Sequence, residues 1–231
     1  MLLHKVKELI VGGIVSLTTV DYPGHLAVVV FCQGCPWRCK YCHNKHLRPL
    51  TSNDGLPWDD VVELIKARKN FIDSVVFSGG EPLVQNDLQY AIEEIKSLNL
   101  LIGLHTSGSL SQRFAKIVGL VDWVGLDVKA PFQNYEIITN IEHSGIAASE
   151  SLDILLASGV SYEVRITLDP ILSIDDVSDI LKELYERGVQ VVALQNVRTQ
   201  KNVVIPHPFL SNLDAMTQAH SMFKSLIVRN T

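Results

Sequence analysis

The stretch LAVVVFCQGCPWRCKYCHN, residues 26–44, carries two signals in succession. Residues 26–31 form an unbroken apolar run rich in valine, which reads as a strand buried on both faces. The run leads straight into Cys32, Cys35, Cys39 and Cys42, and these are all the cysteines of the chain. A buried strand thus delivers every thiol of the protein at its carboxyl end.

Outward from this stretch the same pattern recurs. Residues 58–69 are amphipathic, with Val61, Val62, Leu64 and Ile65, and predict a helix. Strands are expected at 74–77, 101–104, 121–126, 162–168 and 189–194. Helices are expected at 87–98, 110–118, 149–157 (closed by Ser158-Gly159), 174–187 (stopped by Gly188) and finally 212–228. Six strand–helix units predict an α/β protein with a parallel sheet and right-handed crossovers. Periodicity leaves two closures open, a doubly wound sheet or a barrel, and six units fall short of the eight of a closed barrel. In both, ligands bind at the carboxyl ends of the strands.

The residues at the carboxyl end of each strand are therefore informative. After the first come the cysteines, and after the second Ser78-Gly79-Gly80-Glu81-Pro82. The third leads into His105-Thr106-Ser107-Gly108, and the fourth ends in Asp127-Val128-Lys129. The fifth holds Arg165 and ends near Asp169-Pro170; the sixth ends in Gln195-Asn196. Taken singly, Gly79-Gly80 reads as a turn and Asp127 with Lys129 as a surface pair. Six polar or glycine-rich segments at one end of the sheet point to a common site.

Composition narrows the classes. A chain of 231 residues with 47% apolar content can build one α/β domain with a sizeable core, and we expect residues 1–231 to form one. A formal charge of −5 without a basic stripe argues against a nucleic-acid partner. No stretch approaches the roughly 20 apolar residues of a membrane span, and Lys5, Lys7 and Glu8 interrupt the apolar amino end, so neither a membrane segment nor a signal peptide is read there. The expectation is a soluble cytoplasmic protein.

Four thiols so close together do not suit a disulfide framework, which spreads its cysteines to close loops. Three readings remain. Zinc would use two Cys-x2-Cys knuckles, but only three residues separate them here, against roughly 15–20 in common four-cysteine sites. A four-thiolate iron–sulfur cluster would be closed to substrate, and the spacing differs from the bacterial ferredoxin run. The third reading uses Cys35, Cys39 and Cys42 for three irons of a [4Fe–4S] cube, leaves the fourth iron open, and makes Cys32 a small buried hydrophobe.

Cys35-x3-Cys39-x-Tyr41-Cys42 resembles the signature of the radical S-adenosylmethionine (SAM) enzymes. Cys42-His43-Asn44 is similar to the version in activating enzymes of glycyl-radical enzymes. Gly12-Gly13-Ile14, Asp21-Tyr22-Pro23-Gly24 and Gln33-Gly34-Cys35 most resemble the anaerobic ribonucleoside-triphosphate reductase activating proteins. The resemblance spans about residues 11–197. It implies a partial (β/α)6 TIM-like barrel, a [4Fe–4S] cluster held by Cys35, Cys39 and Cys42, and reductive cleavage of SAM to a 5′-deoxyadenosyl radical.

By the same resemblance, Tyr41 lies beside the adenine, and Gly79-Gly80-Glu81 binds the methionine amino group. His43, His105, Ser107 and Gly108 sit near the cofactor. Asp127 and Lys129 belong to the cofactor and active site, Arg165 faces a carboxylate, and Gln195 stands where formate-lyase activators usually carry histidine. The implied partners are a glycyl-radical enzyme, with the reductase foremost, and an electron donor such as flavodoxin or ferredoxin. Further readings are a pyruvate formate-lyase-type activase, a small-molecule enzyme such as a 7-carboxy-7-deazaguanine synthase, and an iron–sulfur or zinc carrier. A carrier has no use for an amino-acid cradle such as Gly79-Gly80-Glu81-Pro82. Trp37 and Trp58 read as packing; His4, His46, His143, His207 and His220 have no clustering partner in sequence.

Overall fold

The valine run becomes β2 (Ala27–Cys32), a strand buried at every position but Phe31. The computed structural model describes residues 9–51, 54–198 and 203–229. β2 pairs in parallel with β3 (Ser74–Gly79), and the sheet continues in chain order through β4 (Leu101–Thr106), β5 (Trp123–Val128), β6 (Ser161–Leu168) and β7 (Val191–Arg198). Between them lie α1 (Trp58–Arg68), α2 (Leu88–Lys96), α3 (Ser111–Ile117), α4 (Glu136–Thr139), α5 (Ser144–Ser158) and α6 (Ile174–Glu186). Among the described residues no strand pairs the two ends of the sheet, so the barrel is partial and the expected fold class is observed.

Alternate residues of each strand serve two cores. The helix-facing set, including Val28, Val30, Val75, Phe77, Val124, Ile166 and Leu194, packs under the helices. Tyr22, Ala27, Val29, Val76 and Trp123 form a second cluster inside the barrel, with Tyr22 stacked on Trp123 at 5.3 Å. That apolar plug closes the amino-terminal end of the lumen and leaves the carboxyl end to polar side chains. The helices hold their places by ordinary means. In α6, Ser173 and Asp176 form a reciprocal capping box and Val177, Ile180, Leu181 and Leu184 face the core; a cap of this kind contributes about 1 kcal/mol.

Three segments differ from expectation. Residues 212–228 are not one helix: α7 (Leu213–Met222) ends, and Ser225–Arg229 forms β9, parallel to β7. The Ile227-Val228 pair is β-branched and, with Leu226, finds an open strand edge, which outweighs helical spacing. Val11–Thr18 is a strand, β1, antiparallel to β2; its Gly12-Gly13 pair obscures the alternation on which a strand is recognised. The helix expected from 149 begins earlier, at Ser144. A short β8 (Val204–Ile205) folds back on the end of β7. Among the described residues no helix is long and apolar enough to cross a membrane. His4 lies outside them.

Candidate active site

The carboxyl ends of β2–β7 open into a cavity of about 480 Å³. Cys35, Cys39, Tyr41, Cys42 and His43 from the cysteine loop form one wall. Gly79, Gly80, His105, Ser107, Asp127, Lys129, Arg165 and Gln195 form the others. Every site residue expected from sequence lines this space except Glu81 and Gly108.

The cysteine loop has little regular structure, so other elements hold it. Gly34 N–H donates to Leu47 O (2.7 Å) and Cys35 N–H to Arg48 O (3.1 Å). Arg38 and Lys40 N–H donate to Thr139 and Ile138 carbonyls (2.9 and 3.1 Å). The buried Gln33 amide donates to His46 O and Pro49 O (3.1 and 2.8 Å), and the Arg48 guanidinium donates to Cys39 O. Cys35, Cys39 and Cys42 face the cavity, whereas Cys32 is fully buried in the helix-side core. Burial pushes the Cys35 thiol up to about 12, with the Glu81 charge adding to it. Burial also raises Cys39, against the pull of Lys129. Thiols in this setting stay protonated unless a metal takes the proton's place.

Opposite the loop, Asp127 joins two cations. Arg165 Nε donates to Oδ1 at 2.9 Å and Lys129 Nζ to Oδ2 at 3.1 Å. Burial alone raises the Asp127 carboxyl; the Arg165 and Lys129 charges outweigh it and bring it down to about 2. Burial disfavours the Lys129 ammonium, but the Asp127 charge holds its pKa well above the usual lysine range. The cluster carries a net charge of +1 at the cavity wall and is suited to an anionic group.

Tyr135, which sequence reasoning passed over, connects this cluster to the loop. Its hydroxyl accepts from Lys129 N–H (3.0 Å) and donates to Asp127 O (3.3 Å), while its ring meets Trp37 edge-on at 5.5 Å. Trp37, expected only to pack, therefore couples the cysteine loop to the end of β5. Lys129 Nζ stands 5.7 Å from the Tyr41 ring centroid, and among the described residues the Tyr41 hydroxyl makes no hydrogen bond of good geometry.

Gly79 and Gly80 lie where the chain approaches the loop. Gly79 has φ +113°, and a Cβ there would sit 2.5 Å from Cys32 N. A Cβ on Gly80 would run into Gly34 O. Both positions therefore need glycine. Glu81 stands outside the cavity lining. It is fully buried, and its carboxylate accepts from Thr106 Oγ1 (2.7 Å), Ser107 N and Oγ (2.9 and 2.5 Å) and Leu83 N (3.2 Å). Those bonds fix the end of β4 against the glycine turn, and they consume the acceptors that a ligand's ammonium group would use. Gly108 stands behind this junction, where its carbonyl accepts from Ser151 Oγ at 2.7 Å.

His105 is buried and neutral. Its Nε2 donates to Asp21 O (2.7 Å), so Nδ1 is left to accept from Ser78 Oγ (3.4 Å). Burial, then the Arg165 charge, lowers its pKa to about 3. Gln195 Nε2 donates to Thr167 Oγ1 at 2.7 Å. Ser78, Thr106, Thr167, Asn196 and Arg198 also line the cavity; Ser78, Thr106 and Asn196 stand in the strand-end segments read from sequence, whereas only their places on strands could have revealed Thr167 and Arg198.

Residues 29–184 match the Radical SAM superfamily. A Methanocaldococcus jannaschii protein, provisionally named glycyl-radical enzyme activating enzyme, is 30% identical over 181 residues, covering 75% of this chain and 74% of its own. The pyruvate formate-lyase-activating enzyme of Clostridium pasteurianum is 29% identical over 195 residues, covering 80% of each. Among solved structures, QueE from Escherichia coli aligns with a TM-score of 0.60 at 16% identity, covering 96% of this chain and 94% of its own. The anSMEcpe structure with bound AdoMet aligns at 0.64 and 18% identity, covering 84% and 61%. The family match covers more than half of the sequence, three thiols line a cavity at the carboxyl ends of a partial barrel, and the chain belongs to the radical SAM superfamily.

Proposed function

We propose that this protein generates a glycyl radical on a partner enzyme, foremost an anaerobic ribonucleoside-triphosphate reductase. The observation that carries the reading is the shared cavity, in which Cys35, Cys39 and Cys42 face Gly79-Gly80 and the Asp127–Lys129–Arg165 cluster. The donor set fits a [4Fe–4S] cluster: three soft thiols line one wall and the fourth, Cys32, points away. Among the described residues no three His, Cys, Asp or Glu side chains converge as they would on one metal ion; a cube takes its thiolates at three different irons and does not require that convergence.

When bound, the cluster and SAM together supply one electron and the 5′-deoxyadenosyl group that becomes the hydrogen-abstracting radical. The protein's residues do the rest. Gly79 and Gly80 let backbone approach the loop without side chains in the way. Lys129 and Arg165 offer positive charge to a carboxylate while Asp127 keeps both oriented. Tyr41, between two cluster cysteines, offers an aromatic face to a base. The buried His105 adds no charge to the site.

Gln195 supports the reductase branch, because formate-lyase activators usually carry histidine there. The names of the relatives favour a second reading, pyruvate formate-lyase activation. One experiment tests both. Anaerobically reconstituted protein, with about four irons and four sulfides per chain, is mixed with SAM, reductant and each candidate enzyme, and the glycyl doublet is sought by electron paramagnetic resonance. A doublet on the reductase alone supports the first reading, one on formate-lyase alone the second. SAM cleavage without a doublet on either moves the assignment to a small-molecule substrate.

A further inference from the structure

The outer face of the cysteine loop has a second opening, which adjoins the main cavity and shares Tyr41, Cys42, His43, Val197 and Arg198 with it. A cavity of about 250 Å³ lies there, its floor made by Pro170, Val197 and Ile205. Lys40, Lys45 and Arg198 rim it, and all three are exposed. Among the described residues Asp169 is the one carboxylate in its wall, and its Oδ1 is engaged by Ile171 N–H at 2.9 Å. Among the described residues, Lys40, Lys45 and Arg198 enter none of the ion pairs.

The charge is concentrated, since residues 22–53 contain no Asp or Glu in a chain whose net charge is −5. Arg38 is also exposed on this loop. Unpaired cations around an apolar floor attract an acidic protein and orient it before contact. Cys42 and Tyr41 line both cavities, so the loop is a single layer between the main site and this surface. The main cavity's mouth is left for SAM and the target glycine.

We propose that this basic face is where an acidic one-electron carrier protein docks to reduce the cluster through the Cys42 side of the loop. The inference rests on the radical SAM reading. On transfer the carrier is oxidised by one electron and the cluster reduced by one, and no bond or proton moves between the two proteins. Such redox encounters use small interfaces and depend on steering.

The test compares wild-type holoenzyme with the Lys40→Glu/Lys45→Glu variant, using a strongly acidic flavodoxin as probe. Binding of oxidised flavodoxin should weaken with salt in the wild type, and the variant should bind about tenfold more weakly at low ionic strength. The rate of flavodoxin-driven cluster reduction should fall in parallel, while dithionite-driven SAM cleavage and iron content stay unchanged. Equal binding by both proteins, or salt-independent binding, overturns the proposal. Weaker binding of the glycyl-radical enzyme with flavodoxin binding intact assigns the face to the target and likewise overturns it. Loss of dithionite-driven cleavage in the wild type is a failure of the radical SAM reading, and the binding comparison is read independently of it.

Discussion

Among the four cysteines, surroundings separate roles that spacing could not. Cys32 closes β2 on its helix side and is fully buried, while the other three face the cavity. Cys39→Ala should leave reconstituted protein without a stable [4Fe–4S] absorbance and abolish SAM cleavage. Cys32→Ala should retain about four irons and cost about 1 kcal/mol of stability, read by chemical denaturation. His105 carries a pH dependence of its own. Its folded pKa of about 3 lies below the ordinary value near 6.5, so the unfolded chain binds the extra proton between them. The stability it supports is complete above about pH 6.5 and is lost as pH falls toward 3. Arg165 and Asp127 face it with opposite charges, and the ring also touches Trp123 edge-on at 5.6 Å. His105→Gln should flatten the decline in denaturation free energy from pH 6.5 to 5 by up to about 1.4 kcal/mol per pH unit.

At the scale of elements, the junction of β2, β3 and the cysteine loop is the tightest part of the site. Gly80 N–H donates to Cys32 O (2.9 Å) and Glu81 N–H to Gly34 O (2.8 Å), so the glycine turn and the loop share backbone bonds. Gly79→Ala would place a methyl 2.5 Å from Cys32 N at a φ that L-residues rarely adopt. The strain costs on the order of 1–3 kcal/mol, and relief requires the loop to move. The variant should therefore lose SAM affinity more than tenfold while keeping its far-ultraviolet circular dichroism; SAM titration of the reconstituted protein checks it.

For the whole molecule, β9 adds a seventh parallel strand beside β7 and sends Arg229 back to the barrel interior. Arg229 Nη1 and Nη2 lie 2.7 and 2.8 Å from the carboxylate oxygens of Glu163 on β6, whose side chain is 2% exposed. The pair spans from the last strand across β7 and clamps that edge of the open barrel. Arg229→Met should destabilise the fold by about 3–5 kcal/mol, because it strands a buried carboxylate. Glu163→Leu/Arg229→Met should recover most of that loss, and a double-mutant cycle by denaturant titration measures the difference.

The sequence by itself determined the alternation of strands and helices, the end of the sheet that bears the site, and the motif Cys35-x3-Cys39-x-Tyr41-Cys42. Each of these is local: valine runs, helical spacing and close-set thiols need no distant partner to be read. At residues 212–228 helical spacing competes with the β-branched Ile227-Val228 pair, and only the open edge of β7 decides between them. Glu81 stood in the right motif, yet its carboxylate turned to Thr106 and Ser107 at the end of β4, which meets the glycine turn after β3 only in the folded barrel. Tyr135 carried no signal at all; its place between Trp37, Asp127 and Lys129 exists only once the cysteine loop packs on the end of β5. Tertiary structure alone decided these, since burial and hydrogen-bond partners far apart in sequence set what a side chain is free to do.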